Sequence, residues 1–273
     1  MVPTLSIVFM GCTLVFVVLA AIILPVIIKK KGNTAIAPYF IGWAVFLVFA
    51  LILESIVHMI VLGAAGDAIL NNKWLYALYG GFAAGIFEET GRFCAMKLLM
   101  KKYYGNPHNA LMYGAGHGCF EALALIGTGM LANIALSVMI NAGKEDMLLS
   151  TVPDTQKEAL QTMFTQLKET ASYTILLSSL ERVTAIMLHI ALSVLVWTAV
   201  VKKKPLFFVL AVLLHAAPDG LLVILQKSGV NIILLEVILF AVSAAIAVFS
   251  YTVWKKHLRT APQTAAADAS AAV

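Results

Sequence analysis

Seven apolar runs, each as long as a lipid bilayer is thick, partition this chain. They lie at about 4–28, 36–63, 74–100, 109–142, 171–201, 205–226 and 230–254. A spanning helix needs about 20 apolar residues to cross roughly 30 Å of hydrocarbon at a rise of 1.5 Å per residue. Inside lipid, backbone N–H and C=O groups find no water, so a segment of this kind satisfies them within itself, as a helix. The expected fold is therefore all-α. It is a polytopic membrane bundle of about seven transmembrane helices, with one bundle over 1–257 and no large soluble domain.

Charge supports this reading. Only 12% of residues are charged and 61% are hydrophobic, whereas a soluble domain carries about 25% charged residues. The chain is basic, with a pI of about 9.1, but its lysines cluster at the ends of the apolar runs. The membrane accounts for them, no nucleic-acid motif accompanies them, and no nucleic-acid partner is expected. The loops on one side hold eleven Lys and Arg, among them Lys29–Lys31 and Lys202–Lys204, and those on the other hold five. The richer side is expected to be cytoplasmic, with the N-terminus outside and the C-terminus inside. The expected location is the cell membrane, multi-pass, with the lipid bilayer as partner.

The first run has no basic leader and no small-residue cleavage site, so it reads as a retained helix. Cys12, Cys94 and Cys119 all fall in apolar runs without a CxxC pair, so no disulfide framework is expected. Residues 143–170 form an extracytoplasmic loop. Within it, Pro153-Asp154-Thr155 can start a helix, and Leu160, Met163, Phe164 and Leu167 recur at helical spacing. That predicts a short amphipathic helix lying on the membrane surface or over the bundle. The Ala-rich stretch 258–273 is expected to be a disordered cytoplasmic tail.

Polar residues inside the apolar runs carry the functional signal. Seven of the 14 acidic residues lie there: Glu54, Glu88, Glu89, Glu121, Glu181, Asp219 and Glu236. Each costs roughly 2.5–3.5 kcal/mol at a helix centre even on a lenient scale, and such residues usually face a bundle interior. Four runs bring acids and imidazoles to a similar depth: Glu88, Glu89 and Arg92; His117 and Glu121; Glu181, Arg182 and His189; His215 and Asp219. Glu54, His58 and Glu236 lie nearer the outer ends, outside this group. Glu88/Arg92, His117/Glu121 and His215/Asp219 are i,i+4 pairs, each on one helix face. Two side chains so spaced can grip one metal ion.

One chemistry that suits this set is metal-dependent hydrolysis. His117, Glu121, His215 and Asp219 offer up to four zinc ligands. Glu88 or Glu89 would take the proton from water, and Arg92 would hold the other carboxylate ionised. Gly114, Gly116 and Gly118 thin the helix around His117, for close helix packing or for substrate. A transporter coupled to ions or protons also uses buried carboxylates and histidines, and a non-catalytic membrane scaffold is a third class.

"EETGR" (88–92), "HGCFE" (117–121) and "HAAPD" (215–219), in that order on successive helices, resemble the YhfC family of membrane peptidases. That family is grouped with the CAAX-protease-like (CPBP) and PrsW proteases. The resemblance covers roughly residues 75–225. It implies glutamate-activated, zinc-dependent cleavage of peptide bonds within the membrane, on a membrane protein or lipidated peptide substrate. Carried over, it implies Glu88 as base with Glu89 beside it, and His215 and Asp219 as metal ligands. The middle motif departs from the CAAX pattern, leaving His117 and Glu121 as alternatives for a ligand. Glu181 and His189 are an extra ligand or supporting pair.

Overall fold

The computed structural model describes residues 1–258. The expected disordered tail lies, from residue 259 on, outside the described residues. The described chain is helical, with no strand: α1 Thr4–Gly32, α2 Ala37–Leu70, α3 Lys73–Leu98, α4 His108–Asn141, α5 Glu145–Ser150, α6 Asp154–Glu169, α7 Ser172–Val201, α8 Leu206–Lys227 and α9 Ile232–His257. All seven apolar runs are long helices. By length and composition six of them qualify as membrane spans. The other is α3, whose 26 residues include Glu88, Glu89 and Arg92. The protein is a multi-pass helical membrane protein.

Local chemistry sets the helix ends. Asn72 accepts from the backbone N–H of Trp74 and Leu75 at the start of α3, and Asn231 accepts from Ile233 at the start of α9, satisfying donors that have no partner within the helix. Past the end of α8, Gly229 takes a left-handed φ of +71°. Its N–H reaches Gln226 O and that of Val230 reaches Leu225 O, a closure that glycine adopts without steric cost.

Two helices contain π-helical stretches, Phe46–Glu54 in α2 and Ala122–Gly127 in α4. A π stretch shifts the register of the side chains that follow it and is frequently found at functional sites.

The chain forms two compact units. One comprises residues 1–20 and 121–182. In it Val2 N donates to Asn141 Oδ1 at 2.7 Å and the Ser6 and Ser172 hydroxyls lie 2.8 Å apart. The amphipathic helix is α6, which begins at Asp154 as expected. It buries Phe164 and Leu167 against Met10, Ile140 and Ile175.

The other unit comprises, among the described residues, 21–120 and 183–258. Its core holds Met96, Met100, Tyr113, Leu192, Leu195 and Trp197. Glycines let its helices touch backbone to backbone. A Cβ at Gly81 or Gly85 of α3 would lie 2.5 Å from Ala216 O or 2.7 Å from Val212 O of α8. On α4, a Cβ at Gly114 would lie 2.7 Å from Ile190 Cα of α7, and one at Gly116 would strike Tyr39 O of α2. Of the two roles expected for the α4 glycines, close packing is the one seen. These approaches let short carboxylate and imidazole side chains meet across helices.

Candidate metal centre

The second unit places Glu88, Glu89, Arg92, His117, His189 and His215 together, all buried. Glu88 and Glu89 are consecutive on α3, and the helix turns them to different neighbours. Glu88 Oε2 lies 2.8 Å from His117 Nε2 on α4. The same oxygen lies 3.9 Å from His189 Nδ1 on α7 and 3.8 Å from His215 Nε2 on α8. One carboxylate oxygen is thus faced by imidazole nitrogens from three helices. The His117 and His189 rings are 4.6 Å apart between centroids, and those of His189 and His215 5.3 Å.

Glu89 is fully buried and held from two sides. Arg92 Nη1 lies 2.9 Å from its Oε1 and 3.1 Å from its Oε2, and His215 Nδ1 lies 2.7 Å from Oε1. The guanidinium pairs with Glu89 at i,i+3; of the two glutamates offered to it by the sequence, it holds this one and not its i,i+4 neighbour Glu88. A guanidinium can only donate, so where Arg92 Nη2 meets His189 Nδ1 at 3.0 Å, that nitrogen is the acceptor. His189 is therefore neutral, with its proton on Nε2.

Asp219 stands one turn beyond His215, its carboxylate 3.5 Å from His215 Nε2. At 39% side-chain exposure it is the most accessible member of this group. Pro218, inside α8, withholds one backbone N–H beside it. On the apolar side, Phe46 sets its edge on the His117 ring at 5.1 Å.

Glu121 and Glu181 are engaged elsewhere. In the first unit Arg182 donates to Glu121 at 2.7 Å and to Glu181 beside it in sequence. The structure thus brings together Glu88, Glu89, Arg92, His117, His189, His215 and Asp219, and sets Glu121 and Glu181 in a separate ion group.

Glu88, His117 and His189 can each offer one donor atom, and these atoms lie within 4.8 Å of one another. Two imidazoles and a carboxylate are an ordinary donor set for a catalytic metal, which uses about three protein ligands and keeps a position open. The donors' burial and their arrival from three helices fit that role.

A family model described as YhfC intramembrane metalloprotease matches residues 15–239. A protein of Bacillus subtilis (strain 168), described as uncharacterized membrane protein YhfC, is 35% identical over 252 residues, covering 91% of this chain and 96% of its own. No solved structure matches.

Proposed function

This chain belongs to the YhfC intramembrane metalloprotease family, and from that premise we propose that it hydrolyses peptide bonds of membrane-associated substrates at the buried group around Glu88. The observation that carries the proposal is the convergence of three imidazole nitrogens from three helices on Glu88 Oε2, at 2.8, 3.8 and 3.9 Å. Holding helices together does not require charges taken out of water, since small residues do that without the desolvation cost.

Glu88, His117 and His189 would hold the metal, with zinc the natural choice for nitrogen and oxygen donors. Bound there, the metal supplies positive charge that polarises a carbonyl and acidifies water. The chain's own residues supply the rest. Glu89, its charge balanced by Arg92, accepts a hydrogen bond from His215 Nδ1–H at 2.7 Å and fixes that tautomer. His215 Nε2 is then the basic atom that takes a proton from the attacking water and returns it to the departing amine. Arg92 keeps Glu89 ionised and oriented. Asp219, beside His215 Nε2 and partly exposed, meets the polar backbone of the arriving substrate.

This exchanges the roles expected for Glu88 and His215. The geometry supports the exchange because Glu88 is shared by three imidazoles, while His215 has a buried carboxylate behind it. The test is cleavage of a quenched-fluorescent peptide carrying an apolar segment, by purified protein in detergent. The expected result is cleavage abolished by a chelator, restored by zinc, and lowered about 10²–10⁴-fold in His215→Ala. Chelator-resistant cleavage, or full activity in His215→Ala, would overturn the proposal.

A further inference from the structure

Glu54, His58 and Tyr79, none of them used above, form a hydrogen-bonded chain in the second unit. His58 Nε2 lies 3.1 Å from Glu54 Oε1, and His58 Nδ1 lies 2.6 Å from the Tyr79 hydroxyl. Glu54 is buried, whereas the His58 side chain is about a third exposed. Glu54 ends the π-helical stretch of α2, and Glu54 and His58 follow one another at i,i+4, so both present to α3. Tyr79 lies nine residues before Glu88 on α3, about 14 Å along the axis, in the half next to the α2–α3 turn. The groups in electrostatic reach of Glu54 are Glu88 from α3 and His215 and Asp219 from α8. Tyr79 is in electrostatic reach of Glu54.

We propose that Glu54, His58 and Tyr79 are a proton relay linking the buried hydrolytic group to the α2–α3 edge of the membrane. In one state the Tyr79 hydroxyl donates to His58 Nδ1, and His58 Nε2–H donates to ionised Glu54. A proton arriving at the Tyr79 oxygen moves the hydroxyl proton to Nδ1 and the Nε2 proton to Glu54 Oε1. One proton enters, one is held on Glu54, and the imidazole changes tautomer without a net change of charge. The reverse shift releases a proton outward. A stabilising salt bridge alone would account for Glu54 and His58, but not for the Tyr79 hydroxyl that completes the chain on the other ring nitrogen. A buried acid–base centre exchanges protons with water slowly unless such a chain serves it, and the buried end of this chain, Glu54, is in electrostatic reach of that centre.

The relay rests on the hydrolytic reading for its purpose, yet one arm of the test needs no substrate. The full chain in detergent is given a pH jump, and infrared spectroscopy follows the carboxylic-acid band that Glu54→Gln removes. Its appearance is expected to slow on the order of tenfold or more in His58→Phe and Tyr79→Phe, and added imidazole is expected to restore His58→Ala. With the quenched peptide, His58→Phe is expected to lower kcat and leave KM and metal content unchanged. Unaltered band kinetics, no Glu54-dependent band, or no rescue by imidazole would overturn the relay. A wild type that never cleaves the peptide but keeps the relay kinetics would instead remove the protease reading and leave the relay standing.

Discussion

Arg92→Met is the perturbation whose cost the structure defines most sharply. The guanidinium is fully buried and makes contacts of 2.9 and 3.1 Å to Glu89 and 3.0 Å to His189. Methionine fills much of the volume but leaves the Glu89 carboxylate buried with only His215 as donor. Breaking a buried pair from one side costs about 3–5 kcal/mol, whereas replacing both charges is often neutral. Arg92→Met is therefore expected to destabilise by about 3–5 kcal/mol, and Arg92→Met/Glu89→Gln to recover at least about 2 kcal/mol of it. Recovery should be incomplete, because His189 Nδ1 also loses its donor. The assay is unfolding of each variant in the same detergent, arranged as a double-mutant cycle. Neither variant should cleave peptide at the wild-type rate: the single one leaves the carboxylate behind His215 without its balancing charge, and the double one replaces that carboxylate. If the single variant costs under about 1 kcal/mol, or the double variant is no more stable than the single, the pair is not the buried ion pair described.

Other consequences are testable in the same preparations. Gly85→Ala places a methyl 2.7 Å from Val212 O; it is expected to cost about 1–3 kcal/mol in unfolding and to lower peptide cleavage by displacing His215 of α8 from Glu89 of α3. Arg182→Leu leaves Glu121 and Glu181 without their shared cation; it should destabilise the protein in thermal unfolding while metal content per chain stays at the wild-type value. Phe164→Ala removes a buried anchor of α6 and is expected to cost about 3 kcal/mol, read as earlier proteolytic nicking of the segment around residues 143–170.

The helices were legible because membrane burial writes itself as long apolar runs, and all seven runs are helical. What hydropathy could not show was where a helix changes its winding: nothing in "FLVFALILE" marks a π stretch at 46–54. The candidate site was legible as residue types more than as partners. Spacing at i,i+4 highlights side chains that share a helix face, yet most of the close contacts here cross between helices: Glu88 to His117, Glu89 to His215, Arg92 to His189. His189 had no imidazole or carboxylate one turn away, so it stood behind the motif residues. A signal for it existed in Gly114 and Gly118, one turn apart on α4. They meet α7 at Ile190 and Ile186 and so bring His117 against His189. Glu121 looked like a ligand because of His117, and the nearby demand of Arg182 for a carboxylate was invisible without the fold.

Metal content, measured by elemental analysis on detergent-purified protein, tests the central assignment most directly. About one zinc per chain is expected in the wild type, lost in His117→Ala and retained in His215→Ala. A wild type that holds no metal after zinc is supplied, or a metal lost in His215→Ala but kept in His117→Ala, would contradict the assignment of Glu88, His117 and His189 as its ligands.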